Sequence, residues 1–254
     1  MPEFPEALER SIEIRARPET VFRYFTDSPR FARWWGAGSS IDGRVGGEVR
    51  IVMPGGNGVR GEILEIEPPR RIVFTYRYDT GIPADGSLVT ITLEETKSGT
   101  RLHLRHAFSS AKIRDAHVQG WRYQLALFSK AVSEEGRPEA IERVDTWLSA
   151  WGNPDAGKRR ELLQACALPD VVFRDAYSAT EGLEDLLAHL EAVQTFFPGV
   201  SLARERDVRL SHATAAADWI AKRESGEPLG RGSNVFDFAA DGRIARVVGF
   251  WEGP

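Results

Sequence analysis

Hydrophobic positions recur along this chain with two different periods. From Gly99 to Phe108 (GTRLHLRHAF) apolar and polar residues alternate, so a strand places Leu102, Leu104 and His106 on one face and His103 and Arg105 on the other. After a polar hinge, SSAKIRDA, the segment HVQGWRYQLALF changes to helical spacing. His117, Trp121, Leu125, Phe128 and Val132 then form one mostly apolar stripe. A strand face and a helix stripe that each carry a histidine raise the question of a pocket between them.

Upstream, SIEIRA (11–16) alternates as a strand, Arg17-Pro18-Glu19-Thr20 opens a short helix over VFRYFTD, and Phe31, Trp34 and Trp35 mark a second helical turn. EVRIVM follows as a strand. GEILEIEPPRRIVFTYRY reads as two strands separated by Pro68-Pro69, and LVTITLEE is joined to the Gly99 strand by a hairpin at Lys97-Ser98-Gly99. The predicted class is α+β, a curved antiparallel sheet wrapped on the long helix.

Between Ser133 and Pro138 the sequence turns polar and turn-forming, and a new helical period starts with Ala140, Ile141, Val144, Leu148 and Trp151. This predicts two domains, 1–135 and 136–254. The second half reads as two helices (AIERVDTWLSAW, KRRELLQACAL), a strand (DVVFRDAY), a helix (LEDLLAHLEAVQTFF) and a run of antiparallel strands at SLARERDVRLS, TAAADWIAKRES, GSNVFDFAA and RIARVVGFWE. Asp241-Gly242 makes the last hairpin turn. This is again α+β, but the element order differs, so the halves are not a duplication.

Composition narrows the function classes. A formal charge of −4 over 254 residues, with no basic block longer than Lys158 to Arg160, argues against a nucleic-acid partner. No run approaches eighteen apolar residues, and the first residues carry no basic-then-apolar leader, so a cytoplasmic protein with no membrane partner is expected. The one cysteine, Cys166, sits in apolar LLQACAL and reads as a small buried hydrophobe.

Candidate chemistry is sparse. Gly56-Asn57-Gly58-Val59-Arg60-Gly61 has the letters of a dinucleotide fingerprint, but a strand rather than a helix follows, so a hairpin loop is expected. His103 and His106 point to opposite strand faces, and no HExxH or CxxC accompanies them, so neither a metal nor a cofactor is expected. His106 and His117 read either as satisfied core histidines or as polar tips of a pocket.

Aromatic residues are dense in the first half, with Phe74, Tyr76 and Tyr78 on one strand face; they fill a core or line an apolar site. In DVVFRDAY, parity puts Asp175 on the apolar face with Val171 and Phe173. A carboxylate there either braces the following turn or serves proton transfer. In GSNVFDFAA, Asn234 shares its face with Phe236 and Phe238 and offers a neutral donor to a carbonyl or oxyanion. Asp218 is a further carboxylate whose facing parity does not decide.

Residues 10 to 135 resemble the SRPBCC (START-like) superfamily, and within it the homologues of the heat-shock ATPase activator. The likeness rests on RPETVFRYFTD, FARWWG, the Gly-Gly of RVGGEVR, GEILEIEPPRRIVFTY, SLVTITLEE, GTRLHLRHAF and HVQGWRYQLALF, in that order. It implies a helix-grip fold around a hydrophobic cavity, without implying a reaction. Residues 138 to 252 look like a SnoaL-like member of the cone-shaped superfamily that includes ketosteroid isomerase and polyketide cyclases, through LPDVVFRDAYSATEGLEDLLAHL and SNVFDFAADGRIARVVGFWE. By that likeness Asp175 stands at the general base, Asn234 at a protonated oxyanion-hole carboxyl, and Trp147 about where a tyrosine donates. Asn is no acid and an indole N–H does not give up a proton, so a milder proton shift or a binding site is what remains implied.

The resulting expectation is a two-domain protein that binds a small hydrophobic molecule in a START-like cavity. Trp35, Phe74, Tyr76, His106, His117, Trp121 and Leu125 would line it, with Trp147 and Phe236 as contacts in the second domain. The alternatives are an isomerase- or cyclase-type enzyme using Asp175 and Asn234, and a scaffold or regulator that forms a homodimer through its second domain.

Overall fold

Alternation along the strands and a helical stripe, read together, account for most of the first half. The computed structural model describes residues 4–53, 57–80 and 86–252. The chain divides into two compact units, Met1–Ser133 and Glu134–Pro254.

The first unit runs β1 (Glu6–Ile14), α1 (Pro18–Arg23), α2 (Ser28–Trp35), β2 (Ser40–Ile41), β3 (Glu48–Val52), β4 (Gly58–Glu67), β5 (Arg71–Tyr78), β6 (Ser87–Thr96), β7 (Gly99–Phe108) and α3 (Ala111–Glu135). Its strands form one seven-stranded sheet in the order β1-β7-β6-β5-β4-β3-β2. Every pairing in it is antiparallel. Leu102, Leu104 and His106 are buried on one face of β7, while Arg101 and Arg105 are exposed. The helix stripe of α3, His117, Trp121, Leu125, Phe128 and Val132, is buried with Ala131. Phe128 stacks on Phe25 at 5.0 Å and meets Trp34 edge-on at 4.9 Å. Burying such a ring contributes roughly 1.5–3 kcal/mol.

Three local expectations are corrected. The first strand begins at Glu6, before SIEIRA, because Glu6 through Ile14 pair residue by residue with β7. Most of the polar hinge SSAKIRDA is already helix; its charged side chains face outward, where Arg114 pairs with Glu6 and Asp115. Gly58 and Gly61 lie in β4 rather than in a loop, whereas Gly56 lies outside the described residues. A Cβ at Gly61 would come within 1.8 Å of the Thr75 carbonyl oxygen, so close strand approach accounts for that glycine.

The second unit runs α4 (Arg137–Trp151), α5 (Ala156–Cys166), β8 (Ala167–Arg174), β9 (Ala179–Glu181), α6 (Leu183–Phe196), β10 (Ser201–Arg204), β11 (Arg209–Ser211), β12 (Thr214–Lys222), β13 (Pro228–Phe238) and β14 (Ile244–Trp251). The sheet order is β10-β12-β13-β14-β8-β9, with β11 on β12. Pairing is antiparallel except between β14 and β8, which run parallel, so the sheet is mixed. SLARERDVRLS, expected as one strand, breaks into β10 and β11, and the short β9 adds a strand that its three residues do not announce. Leu186 and Leu190 of α6 and Val144, Trp147 and Leu148 of α4 belong to one core with Val171, Phe173, Phe236 and Val247 of the sheet. Cys166 is buried there, and burial pushes its thiol up to about 12.

Among the described residues no helix is long and apolar enough to cross a membrane. None of them form a group of three or more His, Cys, Asp or Glu that could hold a metal ion.

Candidate functional site

Strand β8 delivers Asp175 to the rim of a cavity of about 600 Å³ in the second unit. The backbone N–H of Asp175 donates to Ser178 O at 2.9 Å, and its Oδ1 accepts from the Tyr177 N–H at 2.8 Å, an Asx-type turn. Its Oδ2 accepts from the indole N–H of Trp251 at 3.3 Å. Asp175 therefore braces a turn and also lines the cavity. Each of its oxygens keeps a further lone pair for a ligand donor.

Across the sheet, β13 buries Asn234 on the same side. The Trp219 indole N–H donates to Asn234 Oδ1 at 3.0 Å. An indole nitrogen can only donate, so the amide must present its oxygen to Trp219 and turn its NH₂ elsewhere. Among the described residues that NH₂ has no hydrogen-bond partner, and Asn234 lines the cavity.

Two glycines make this arrangement fit. Gly249 stands opposite Asn234 on β14, and a Cβ there would lie 3.0 Å from Asn234 Oδ1 and 3.2 Å from Asp175 Cβ. Gly232 stands opposite Trp219 on β12, where a Cβ would lie 2.5 Å from the indole Cζ2, so the ring lies over bare backbone. The donor and the carboxylate are thus neighbours across one missing side chain.

The rest of the lining is apolar: Trp151, Phe173, Val193, Val200, Leu202 and Trp219 among others. Tyr177 and Phe196, also on the lining, are 78% and 77% exposed, so the cavity opens beside them. A mostly apolar concavity with a few converging polar groups is the usual form of a small-molecule site.

One polar lining residue, His189 on α6, is absent from the sequence-based candidates. Its ring packs near Trp151 (centroids 5.7 Å) and Phe173 (6.0 Å). Burial pulls its basicity below the ordinary imidazole value, and the Asp175 and Asp185 carboxylates oppose this. The available signal was periodicity, because His189 lies three residues after buried Leu186 and four before Val193.

Trp147 and Phe236 are fully buried and are not part of the lining, contrary to expectation. Their rings meet edge-on at 6.1 Å, and Trp151, one helical turn further along α4, supplies the wall instead. Asp218 also stays off the lining: Arg209 holds it with two hydrogen bonds of 2.9 and 3.2 Å, while its neighbour Trp219 faces the cavity.

In the first unit, Trp35, Phe74, Tyr76, His106, His117, Trp121 and Leu125 are all buried, and they pack on one another. His106 is held on both sides. The Trp121 indole donates to its Nδ1 at 2.9 Å, which leaves Nε2 as the N–H that donates to Ser87 Oγ at 2.7 Å; the Ser87 hydroxyl in turn donates to Tyr76 O at 2.9 Å. Burial, together with nearby His117, pushes His106 far below its ordinary basicity, so it is neutral. His117 gives its Nδ1–H to Ile113 O at 2.7 Å and takes the Tyr78 hydroxyl at 3.2 Å. The Trp35 indole N–H is buried without a hydrogen-bond partner.

The family model described as activator of Hsp90 ATPase homolog 1-like protein matches residues 15–133. No curated protein matches the chain. Similar solved structures include a SnoaL-like family protein from Agrobacterium tumefaciens, at 25% identity over 46% of this chain and 99% of that one, with a TM-score of 0.44. Another is CalU16 from Micromonospora echinospora, at 30% identity over 56% and 83%, with a TM-score of 0.41. A third is the Aha1 dimer from Colwellia psychrerythraea, at 19% identity over 50% and 96%, also with a TM-score of 0.41.

Proposed function

We propose, from the match of residues 15–133 to the activator of Hsp90 ATPase homolog 1-like family model, a two-domain ligand-binding protein whose second, SnoaL-like domain holds a small, largely apolar molecule by its carbonyl. The observation that carries this reading is the cavity of about 600 Å³ into which Asn234 can turn a free amide donor. Apolar walls supply the affinity and Asn234 fixes where the ligand oxygen sits. Asp175, beside the same glycine, stands within reach of a carbon next to that carbonyl. This proximity favours, as a second activity, an isomerase-type proton shift with Asp175 as base and Asn234 polarising the carbonyl. Equilibrium titration with 1-indanone, a compact ketone, tests the binding reading: wild type should bind and Asn234→Leu should bind about tenfold more weakly, the value of one neutral hydrogen bond.

For the first domain we infer a helix-grip fold, with α3 as the gripping helix and a second apolar ligand site beside Trp35. The partnerless buried indole N–H of Trp35 supports it, since a ligand acceptor would satisfy that donor. Trp121→Ala should abolish ligand retention by this domain in native mass spectrometry. A homodimer through the outer face of the second sheet is supported by Phe250, which is 53% exposed opposite Ser233. Phe250→Glu should convert a dimer to a monomer in light scattering.

A further inference from the structure

His189 is a polar residue of the cavity wall with both ring nitrogens unspent. Asn234 gives its oxygen to Trp219, and Asp175 takes Tyr177 N–H and the Trp251 indole. Among the described residues neither nitrogen of His189 has a hydrogen-bond partner, although the ring is half-buried between Trp151 and Phe173. Filling the cavity with a purely apolar body would strip water from these nitrogens and from the Asp175 carboxylate without replacing its hydrogen bonds.

We propose that His189 is a specificity-determining residue, which with Asp175 receives a hydroxyl of the ligand while Asn234 receives its carbonyl, so that the preferred ligand class is a small apolar hydroxyketone rather than a simple ketone. The assignment rests on the carbonyl-binding role of the second domain proposed above. The chemistry of the three groups is complementary to such a ligand. Asn234 offers a donor, the Asp175 carboxylate accepts only, and a neutral imidazole offers one donor and one acceptor. One ligand hydroxyl can donate to Asp175 and accept from the His189 N–H, which gives the carboxylate and the imidazole donor a partner at once. The closeness of Asp175 and Asn234 across Gly249 sets the spacing: the two ligand oxygens belong on carbons separated by one or two bonds from a shared neighbour. Burial lowers the basicity of the imidazole, the Asp175 and Asp185 carboxylates opposing only in part, so near pH 7 it is neutral with a single N–H to offer the ligand oxygen.

The test compares 1-indanone with 3-hydroxy-1-indanone, which differ by one hydroxyl, by calorimetric titration of the full-length protein. Wild type should bind the hydroxyketone at least fivefold more tightly. His189→Phe, which keeps a planar ring and removes both nitrogens, should bring that ratio to about one. In ¹⁵N-histidine-labelled wild type, the His189 ring nitrogens should shift on saturation with 3-hydroxy-1-indanone and not with 1-indanone, a readout that needs no variant. Equal affinity of wild type for the two probes, or unmoved His189 nitrogens with the hydroxyketone bound, would overturn the assignment to His189 and leave the carbonyl-binding reading intact. Failure of wild type to bind either probe would instead remove the carbonyl-binding reading itself.

Discussion

Trp219 donates its indole N–H to Asn234 Oδ1 at 3.0 Å, and this one contact decides what the amide can offer to the cavity. A lone asparagine could present either end; one bonded to an obligate donor presents its NH₂. Trp219→Phe keeps the ring over Gly232 and removes the constraint. Affinity for 1-indanone should fall about three- to tenfold, and the melting temperature should drop by only a few degrees, since one neutral hydrogen bond is worth roughly 1 kcal/mol. Titration calorimetry beside a thermal melt separates the two effects.

Gly249→Ala inserts a methyl group 3.0 Å from Asn234 Oδ1 and 3.2 Å from Asp175 Cβ. Both neighbours must give by a few tenths of an ångström, at a cost of about 1–3 kcal/mol of stability. Because the displaced atoms belong to two polar groups of the site, binding of 1-indanone should weaken by more than the stability loss alone would suggest. Unchanged affinity in a folded Gly249→Ala variant would place the ligand elsewhere.

Stability should depend on pH through histidines buried in neutral form. His106, and less strongly His117, have folded-state basicity below the ordinary value of about 6.5. The unfolded chain then binds more protons than the native one as pH falls below about 6.5, so stability is fully present above that value and declines below it. His189 acts in the same direction. Urea midpoints measured between pH 8 and pH 5 should fall with pH. In His106→Leu the slope should flatten while the whole curve drops, because Trp121 Nε1 and Ser87 lose their partner.

Arg159 is 2% exposed, and its Nη1 donates to the carbonyls of Asn153 at 2.8 Å and Pro154 at 3.1 Å, tying the α4–α5 connection to α5; its Nη2 pairs with Glu191. Glu191 itself is 62% exposed. Arg159→Ala should therefore cost about 3 kcal/mol through lost packing and unpaired carbonyls, whereas Glu191→Ala should cost less than about 1 kcal/mol. Chemical denaturation of the two variants checks the contrast.

Parity and periodicity carried much of this architecture. Leu102, Leu104 and His106 face inward on β7, and the stripe from His117 to Val132 faces inward on α3, because each follows from backbone geometry alone. Asn234 was legible for the same reason, its face being shared with Phe236 and Phe238. The parallel pairing of β8 with β14 was not, since it joins segments some seventy residues apart and leaves no local mark. Depth within a face was equally hidden. Trp147 and Trp151 share a helical stripe, yet only Trp151 reaches the cavity, and only the packed structure distinguishes them. His189 went unnoticed because one polar residue in a leucine-rich helix resembles an ordinary core histidine until its neighbours are known.

The most direct measurement of the central claim is the side-chain ¹H–¹⁵N spectrum of Asn234 during titration with 1-indanone, with signals assigned through Asn234→Leu. The NH₂ pair of Asn234 should shift progressively to saturation. The claim is contradicted if the ketone binds while that pair stays fixed and only signals of the first domain, such as the Trp35 indole, move.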